Sequence, residues 1–268
     1  MDFDQVARAW GRWAAAFENG AHAVTERILD AAHLRSGCAV LDLATGFGEP
    51  AISAAKTARR VVGIDISPAM ISLARERAEQ AGITNVEFVV ADAAAYESSE
   101  RFDAIVSRYG LMFLPDLDAS LVHYRGLLRD GGRLAAAAWG TRDEVPMISL
   151  PIVAGVRDFG APPPQLEQSP FALNDSAALA VRFVACGYDD VAVEEMTATF
   201  PFESAGQYFA YITDVAPPVV AILKGLDAEG AAQFRRIVEA EATERFGSSD
   251  GTLRIPNRVF VIGATSHA

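Results

Sequence analysis

Cysteine is scarce: Cys38 and Cys186 are the only two in 268 residues. Neither has a metal-ligand spacing and one pair makes no disulfide framework, so both read as buried or half-buried thiols in a reducing compartment. Histidine is also scarce, at four, and no His/Cys/Asp cluster has ligand spacing, so no metal is expected. Positive charge is outnumbered, with 23 Lys and Arg against 35 Asp and Glu and a formal charge of -12. That excess repels phosphate backbones and anionic lipid surfaces, which counts against nucleic-acid and membrane partners. No apolar run approaches the roughly 20 residues that span a bilayer. The stretch Met1-Asp2-Phe3-Asp4 lacks the positive start and apolar core of a signal peptide, which makes the cytoplasm the expected location. Internal repeats and low-complexity tracts are missing too.

What is present is apolar and ordered. Hydrophobic residues make up 51% of the chain, enough for a substantial core. From about residue 4 to 32, Trp10, Trp13, Phe17, Val24, Ile28 and Ala31 recur at three- and four-residue spacings, which predicts a helix. After Ser36-Gly37, short apolar strands alternate with helices. Strands are predicted over 39–43, 61–66, 86–90, 104–107 and 134–139. Helices are predicted from near Pro50, from Ser67-Pro68 to a stop at Gly82, and over 117–128 ahead of Asp130-Gly131-Gly132. Strands that are apolar throughout and alternate with helices imply a parallel sheet covered on both faces, with right-handed crossovers.

Beyond Trp139 the rhythm changes. Residues 140–170, with Pro162-Pro163-Pro164, read as loop. A helix is predicted over 177–186, ending at Gly187, and residues 191–202 alternate with period two. Residues 203–250 are mostly helical, carry Tyr208, Phe209 and Tyr211, and break at Pro217-Pro218. With a last strand over 259–263, the 203–250 stretch reads as an insertion capping the sheet.

In open α/β sheets ligands sit beyond the carboxyl ends of the strands, where strand order reverses. The first such end is Asp42-Leu43-Ala44-Thr45-Gly46-Phe47-Gly48-Glu49, whose two glycines let the backbone turn tightly and approach a ligand. Gly46, Gly48 and Ala51 fit a loose G-x-G-x-x-A dinucleotide pattern, and Asp65 follows Gly48 by 17 residues, near the place of a ribose-binding acid. Charge argues otherwise. A pyrophosphate over this turn would meet Asp42 and Glu49, whereas S-adenosylmethionine has no phosphate and brings an ammonium and a sulfonium that acids favour. Asp65 then suits two ribose hydroxyls, and Asp92, after the third strand, could accept from an adenine amino group. Singly, Asp42 and Asp65 could be ordinary turn and cap residues and Asp92 a loop acid. Three acids at three successive strand ends form the more specific pattern.

With these pieces the chain resembles the class I methyltransferases, and among them the subgroup similar to ubiquinone/menaquinone C-methyltransferases. The matching segments are Val40-Leu41-Asp42-Leu43-Ala44-Thr45-Gly46-Phe47-Gly48, Gly63-Ile64-Asp65-Ile66-Ser67-Pro68-Ala69-Met70 and Ala91-Asp92-Ala93. They continue in Phe102-Asp103-Ala104-Ile105-Val106-Ser107-Arg108 and Leu128-Arg129-Asp130-Gly131-Gly132-Arg133-Leu134. The likeness covers about residues 35–140, and the remainder only by architecture. It implies a doubly wound α/β fold: seven strands, mostly parallel with the last antiparallel, helices on both faces, an N-terminal helix and a helical cap. It implies one domain over 1–268, with a cap helix to residue 35, a cofactor half over 36–140 and a substrate-side half over 141–268. The implied cofactor is S-adenosylmethionine, lined by Asp42, Ala44, Thr45, Gly46, Gly48, Asp65, Ile66, Met70, Asp92, Ala93 and Ser107. Two departures stand out. Ala44-Thr45 replaces a frequent Gly-Cys, and Phe47 takes a position that is usually small, narrowing the cofactor loop.

Methyl transfer from a sulfonium is an in-line displacement, so the protein chiefly positions the nucleophile, removes water and manages one proton. His22 and Tyr109 are the candidate proton handlers; His33, His123 and His267 fit edge, helix and tail roles. Trp13, Phe17, Tyr109, Phe113 and Trp139 are the candidate walls of a dry acceptor pocket. They would attract the sulfonium if their rings faced it, and a packed core stripe is the competing reading. A small, largely apolar acceptor follows, with a nicotinamide-dependent oxidoreductase and a non-catalytic S-adenosylmethionine-binding protein as alternatives. The acceptor atom and the oligomeric state stay open.

Overall fold

In the computed structural model, which describes residues 3–163 and 169–267, the apolar runs become β1 (Ala39–Leu43), β2 (Arg60–Asp65), β3 (Val86–Val90), β4 (Phe102–Arg108) and β5 (Leu128–Trp139). Strands β6 (Tyr188–Phe202) and β7 (Leu253–Ser266) follow. The sheet order is β3-β2-β1-β4-β5-β7-β6. Pairs from β3 through β5 are parallel, and β7 runs antiparallel to both β5 and β6, the arrangement the family resemblance implies. Strand β1 is buried along its whole length, as a central strand covered on both faces must be.

Around the sheet lie α1 (Phe3–Ala31), α2 (Ala51–Ala55), α3 (Pro68–Gln80), α4 (Leu117–Leu127), α5 (Pro146–Phe159) and α6 (Ser176–Ala185). Between β6 and β7 come α7 (Ala205–Val215), α8 (Pro217–Lys224) and α9 (Ala228–Phe246). Side-chain caps begin many of these helices: Ser67, Asp116, Asp175, Ser204 and Asp227 each accept a backbone amide of the first turn, satisfying donors that have no partner inside the helix. The inner face of α1 buries Ala21, Val24 and Ile28 completely. Gly20 lets α1 reach the sheet, since a Cβ there would stand 2.4 Å from Phe200 Cδ1 in β6.

Three expectations are corrected. Much of the 140–170 stretch is not loop: α5 starts at Pro146, carries Pro151 inside it and buries Met147, Leu150, Ile152 and Ala154. Its prolines mimic breakers, but Pro146 stands at the first helical positions, where no amide is needed. Strand β4 is longer than predicted at both ends, and β5 begins at Leu128, with Asp130-Gly131-Gly132 forming an irregularity against β4 rather than a separate turn. Strand β7 is longer as well, running from Leu253 to Ser266. Met1, Asp2 and Pro164, which entered the sequence reading, lie outside the described residues. No described helix is long and apolar enough to cross a membrane. Both cysteines are buried and free.

Candidate cofactor and acceptor site

Strands β1 and β4 are neighbours in the sheet, yet the chain leaves them toward opposite edges, which opens a crevice at their carboxyl ends. Ser107 Oγ ties the two ends by donating to the Leu43 carbonyl (2.9 Å). The next residue on one side and a near neighbour on the other, Ala44 and Tyr109, both adopt left-handed backbone, with φ of 53° and 61°. Such strain in non-glycine residues persists only where the surroundings enforce it. Gly110 lets the two ends pack this closely: a Cβ on it would stand 2.7 Å from both Ala44 Cβ and Ser107 Oγ.

The glycine bend is organised by carboxylates. Asp42 Oδ2 accepts from Thr45 Oγ1 (2.6 Å) and from the Ala51 amide (2.9 Å). Asp65 Oδ2 accepts from the Gly46 amide and Oδ1 from the Ser67 amide, each at 2.9 Å. Glu49 accepts from the Ser53 amide (3.1 Å). Gly46 has φ 55°, and no described atom lies within 4 Å of where its Cβ would stand, so the face above the bend is open. Gly48, with φ 104°, instead packs on Ile52.

The three strand-end acids differ in what they face. Asp42 is fully buried and its Oδ1 meets no partner among the described residues. Loss of water raises its pKa to about 7, against the lowering effect of Thr45, Ala51 and Arg108. It braces the bend from below and does not line the open face. Asp65 is 8% exposed at the end of β2. Asp92 is exposed and caps a short 3-10 turn that begins at Ala93, accepting from the Ala94 amide. Beside these two acids lie Ile66 and Val90, 59% and 47% exposed, with Val90 paired to Asp65 across β2 and β3. These exposed apolar side chains, one next to Asp65 and one two residues before Asp92, are surface of the kind on which a flat base can rest. Met70 and Ser107 are nearly fully buried and support the site from within the core.

Sequence reasoning missed a charged clasp. Arg108, at the end of β4, is buried; its Nη1 donates to Glu18 Oε2 (3.0 Å) and Thr25 Oγ1 (2.7 Å) of α1, and its Nη2 to Glu18 Oε1. Burial alone would depress this guanidinium, but the bond to Glu18 and its charge more than offset that. Arg77 of α3 donates to the Phe47 carbonyl (3.2 Å) and lies 4.8 Å above the Phe47 ring. The available signal was an arginine two residues beyond the apolar run Ala104-Ile105-Val106.

Rings close the crevice. Trp10 stacks on Phe47 at 5.4 Å, and Phe17 lies 6.3 Å from Tyr109 and 5.1 Å from Phe200. Tyr109 lies flat on Trp139, with centroids 3.9 Å apart and planes 3° apart. Trp13 points to α7 instead: its Nε1 donates to Asp214 (2.7 Å) and its ring meets Tyr211 edge-on. Phe113 is half-buried in the 3-10 turn Leu111–Phe113. His22 is removed from the candidate site, because its side chain is 62% exposed on α1 beside Glu26. His123 donates to the Tyr96 carbonyl (2.7 Å), a satisfied structural role.

These residues fit a phosphate-free nucleoside better than a dinucleotide. A pyrophosphate needs the amides of the bend and of the helix start, and here the Gly46, Ala51 and Ser53 amides are already held by Asp65, Asp42 and Glu49. Beside these held amides there is open space over Gly46 and exposed apolar surface at Ile66 and Val90.

The comparisons agree with that geometry. Residues 34–179 match a family model described as a methyltransferase domain. The chain is 34% identical over 137 residues to the aklanonic acid methyltransferase DauC of Streptomyces sp. (strain C5), covering 50% of this chain and 61% of that protein. It is 31% identical over 175 residues to the demethylmenaquinone methyltransferase of Thermobifida fusca, covering 60% of this chain and 73% of that one. The match thus spans less than two thirds of the Streptomyces relative's own length. The solved phosphoethanolamine N-methyltransferase 2 of Haemonchus contortus, in complex with phosphomonomethylethanolamine and S-adenosylhomocysteine, shares the fold. Its TM-score is 0.61 at 17% identity, covering all of this chain and 61% of that one. Fold, bend chemistry and family match converge, and the chain belongs to the class I, S-adenosylmethionine-dependent methyltransferases.

Proposed function

We propose that this chain transfers a methyl group from S-adenosylmethionine to a small, largely apolar acceptor. The observation that carries the reading is the ring wall of Phe17, Tyr109, Trp139 and Phe200, which meets the glycine bend at the β1–β4 crevice. Two relatives, named for aklanonic acid and demethylmenaquinone, support an acceptor of this size and character.

When bound, S-adenosylmethionine supplies a methyl group on a cationic sulfur that leaves as a neutral thioether. The chain's own part is positional. Asp65 would hold the ribose hydroxyls, Asp92 and the exposed Ile66 or Val90 the base, and the open face of Gly46 the approach of the amino-acid end. The rings exclude water and fix a flat acceptor in line with the methyl group, where geometry rather than acid–base chemistry lowers most of the barrier.

Calorimetry with S-adenosylmethionine and S-adenosylhomocysteine tests the cofactor half of the reading. Both should bind wild type, and Asp65→Asn, which keeps an acceptor for one of the two amides Asp65 holds, should bind at least tenfold more weakly on losing charged hydrogen bonds. Absence of binding to either compound would sink the reading. Incubation with methyl-labelled cofactor and a cell extract then tests the acceptor half. Label should enter an organic-soluble small molecule, and label confined to protein or RNA would contradict the acceptor class.

A further inference from the structure

Tyr109 carries a hydroxyl for which the fold provides no partner. Its oxygen is shut off from solvent and meets no hydrogen-bonding group among the described residues. Three other buried tyrosines, Tyr124, Tyr188 and Tyr208, donate to the carbonyls of Ala93, Leu121 and Met147 at 3.1, 2.9 and 3.0 Å. Buried polar groups are almost always paired, because an unpaired one has given up its water for nothing, so the exception calls for a reason. The same residue also bears a left-handed backbone, φ 61°, at the crevice where such sheets hold ligands. Two destabilising features on one residue, at the site, suggest that what they serve is a molecule bound there.

We propose that the Tyr109 hydroxyl donates a hydrogen bond to an oxygen of the methyl acceptor, and that the acceptor is a flat ring compound bearing that oxygen. This rests on the reading of the ring wall as the acceptor site. Flatness follows from the lining alone: Tyr109 and Trp139 cover each other face to face at 3.9 Å, so an acceptor beside the hydroxyl would meet ring edges and outer ring faces, with Phe17 edge-on to Tyr109. Oxygen follows from the donor. Burial pushes the phenol well above its usual value despite the neighbouring Arg108, so Tyr109 stays protonated and offers a proton to an acceptor. An ammonium on the substrate could meet this hydroxyl only as an acceptor and would leave its proton unused.

The test uses the full chain saturated with S-adenosylhomocysteine and two probes of one shape, 9-fluorenone and fluorene, which differ in a carbonyl oxygen. Affinity is read by quenching of tryptophan fluorescence. Wild type should bind fluorenone about tenfold more tightly than fluorene, the scale of one buried hydrogen bond. Tyr109→Phe should erase that preference, leave fluorene and S-adenosylhomocysteine affinities unchanged, and melt at a higher temperature because an unpaired buried hydroxyl is gone. A preference that survives in Tyr109→Phe overturns the assignment, as does a wild type that binds both probes equally. A lower melting temperature in the variant also overturns it, by showing that the hydroxyl holds the fold together. Failure of wild type to bind S-adenosylhomocysteine at all would count against the methyltransferase reading itself, a separate outcome.

Discussion

Asp42 keeps an ionisable carboxyl where water does not reach, and its protonation should be visible in stability. Unfolded, the group ionises near 3.8; folded, desolvation raises it to about 7. Between those values the unfolded chain is ionised and the folded chain holds the proton, so folding takes up a proton. Stability from this group is therefore complete below 3.8 and is lost as pH climbs toward 7, by about 1.4 kcal/mol per unit inside the window. Asp42→Asn keeps an oxygen for Thr45 and Ala51 and carries no charge. Its unfolding free energy should gain on wild type steadily from pH 5 to 7 and then run parallel; urea titrations across that range that stay parallel throughout would refute the raised pKa. That an acid ends β1 just before the glycine bend was legible, because an acid at a strand end before two glycines stands out in sequence. Its inward direction was not, since a sequence position does not say whether a side chain points to the ligand or to the backbone amides beneath it.

Among elements, α1 depends most on distant partners. Its helical period is plain in the sequence, but what fastens it is not. Glu18 and Thr25 meet Arg108 from 90 and 83 positions away, and Trp13 meets Asp214 across 201. No local pattern encodes such pairs. The Arg108 side chain is 3% exposed and that of Glu18 19%, so removing Glu18 leaves a buried cation without its anion. Glu18→Ala should cost about 3 kcal/mol. Exchanging both charges in Glu18→Leu/Arg108→Met should recover most of that loss, because paired apolar replacements of similar volume are often neutral or better. Equilibrium denaturation of the single and double variants measures this, and a double variant as weak as the single one would show that the clasp works through something other than charge pairing. Helix α5 illustrates the opposite failure of reading: its signals were local, but Pro146 and Pro151 resembled loop residues, and only packing of the intervening apolar positions decides for helix.

At the scale of the whole molecule, the cofactor half was readable because strand, bend and helix recur there with short spacings, so each strand end announces itself. Of the ring wall, Phe17, Tyr109 and Trp139 were among the aromatics named from sequence and Phe200 was not, since Phe17 comes from α1, Tyr109 from just after β4, Trp139 from β5 and Phe200 from β6. A crevice assembled from elements that distant in sequence has a thermodynamic consequence. Its walls exist only in the folded state, so a ligand that binds there stabilises the entire fold rather than one segment. At a concentration of about 100 times its dissociation constant, S-adenosylhomocysteine should add roughly 2.7 kcal/mol. For a chain of this size that corresponds to a rise in melting temperature of roughly 5–10 °C. NADH at the same concentration should give none, because the amides that would hold a pyrophosphate are already bonded to Asp65, Asp42 and Glu49. Differential scanning calorimetry with both ligands makes the comparison. A shift with NADH would mean that those carboxylates yield their amides to phosphate, and the argument from the bend would then fail, whereas a shift with S-adenosylhomocysteine alone ties the chemistry of the bend to the stability of the molecule.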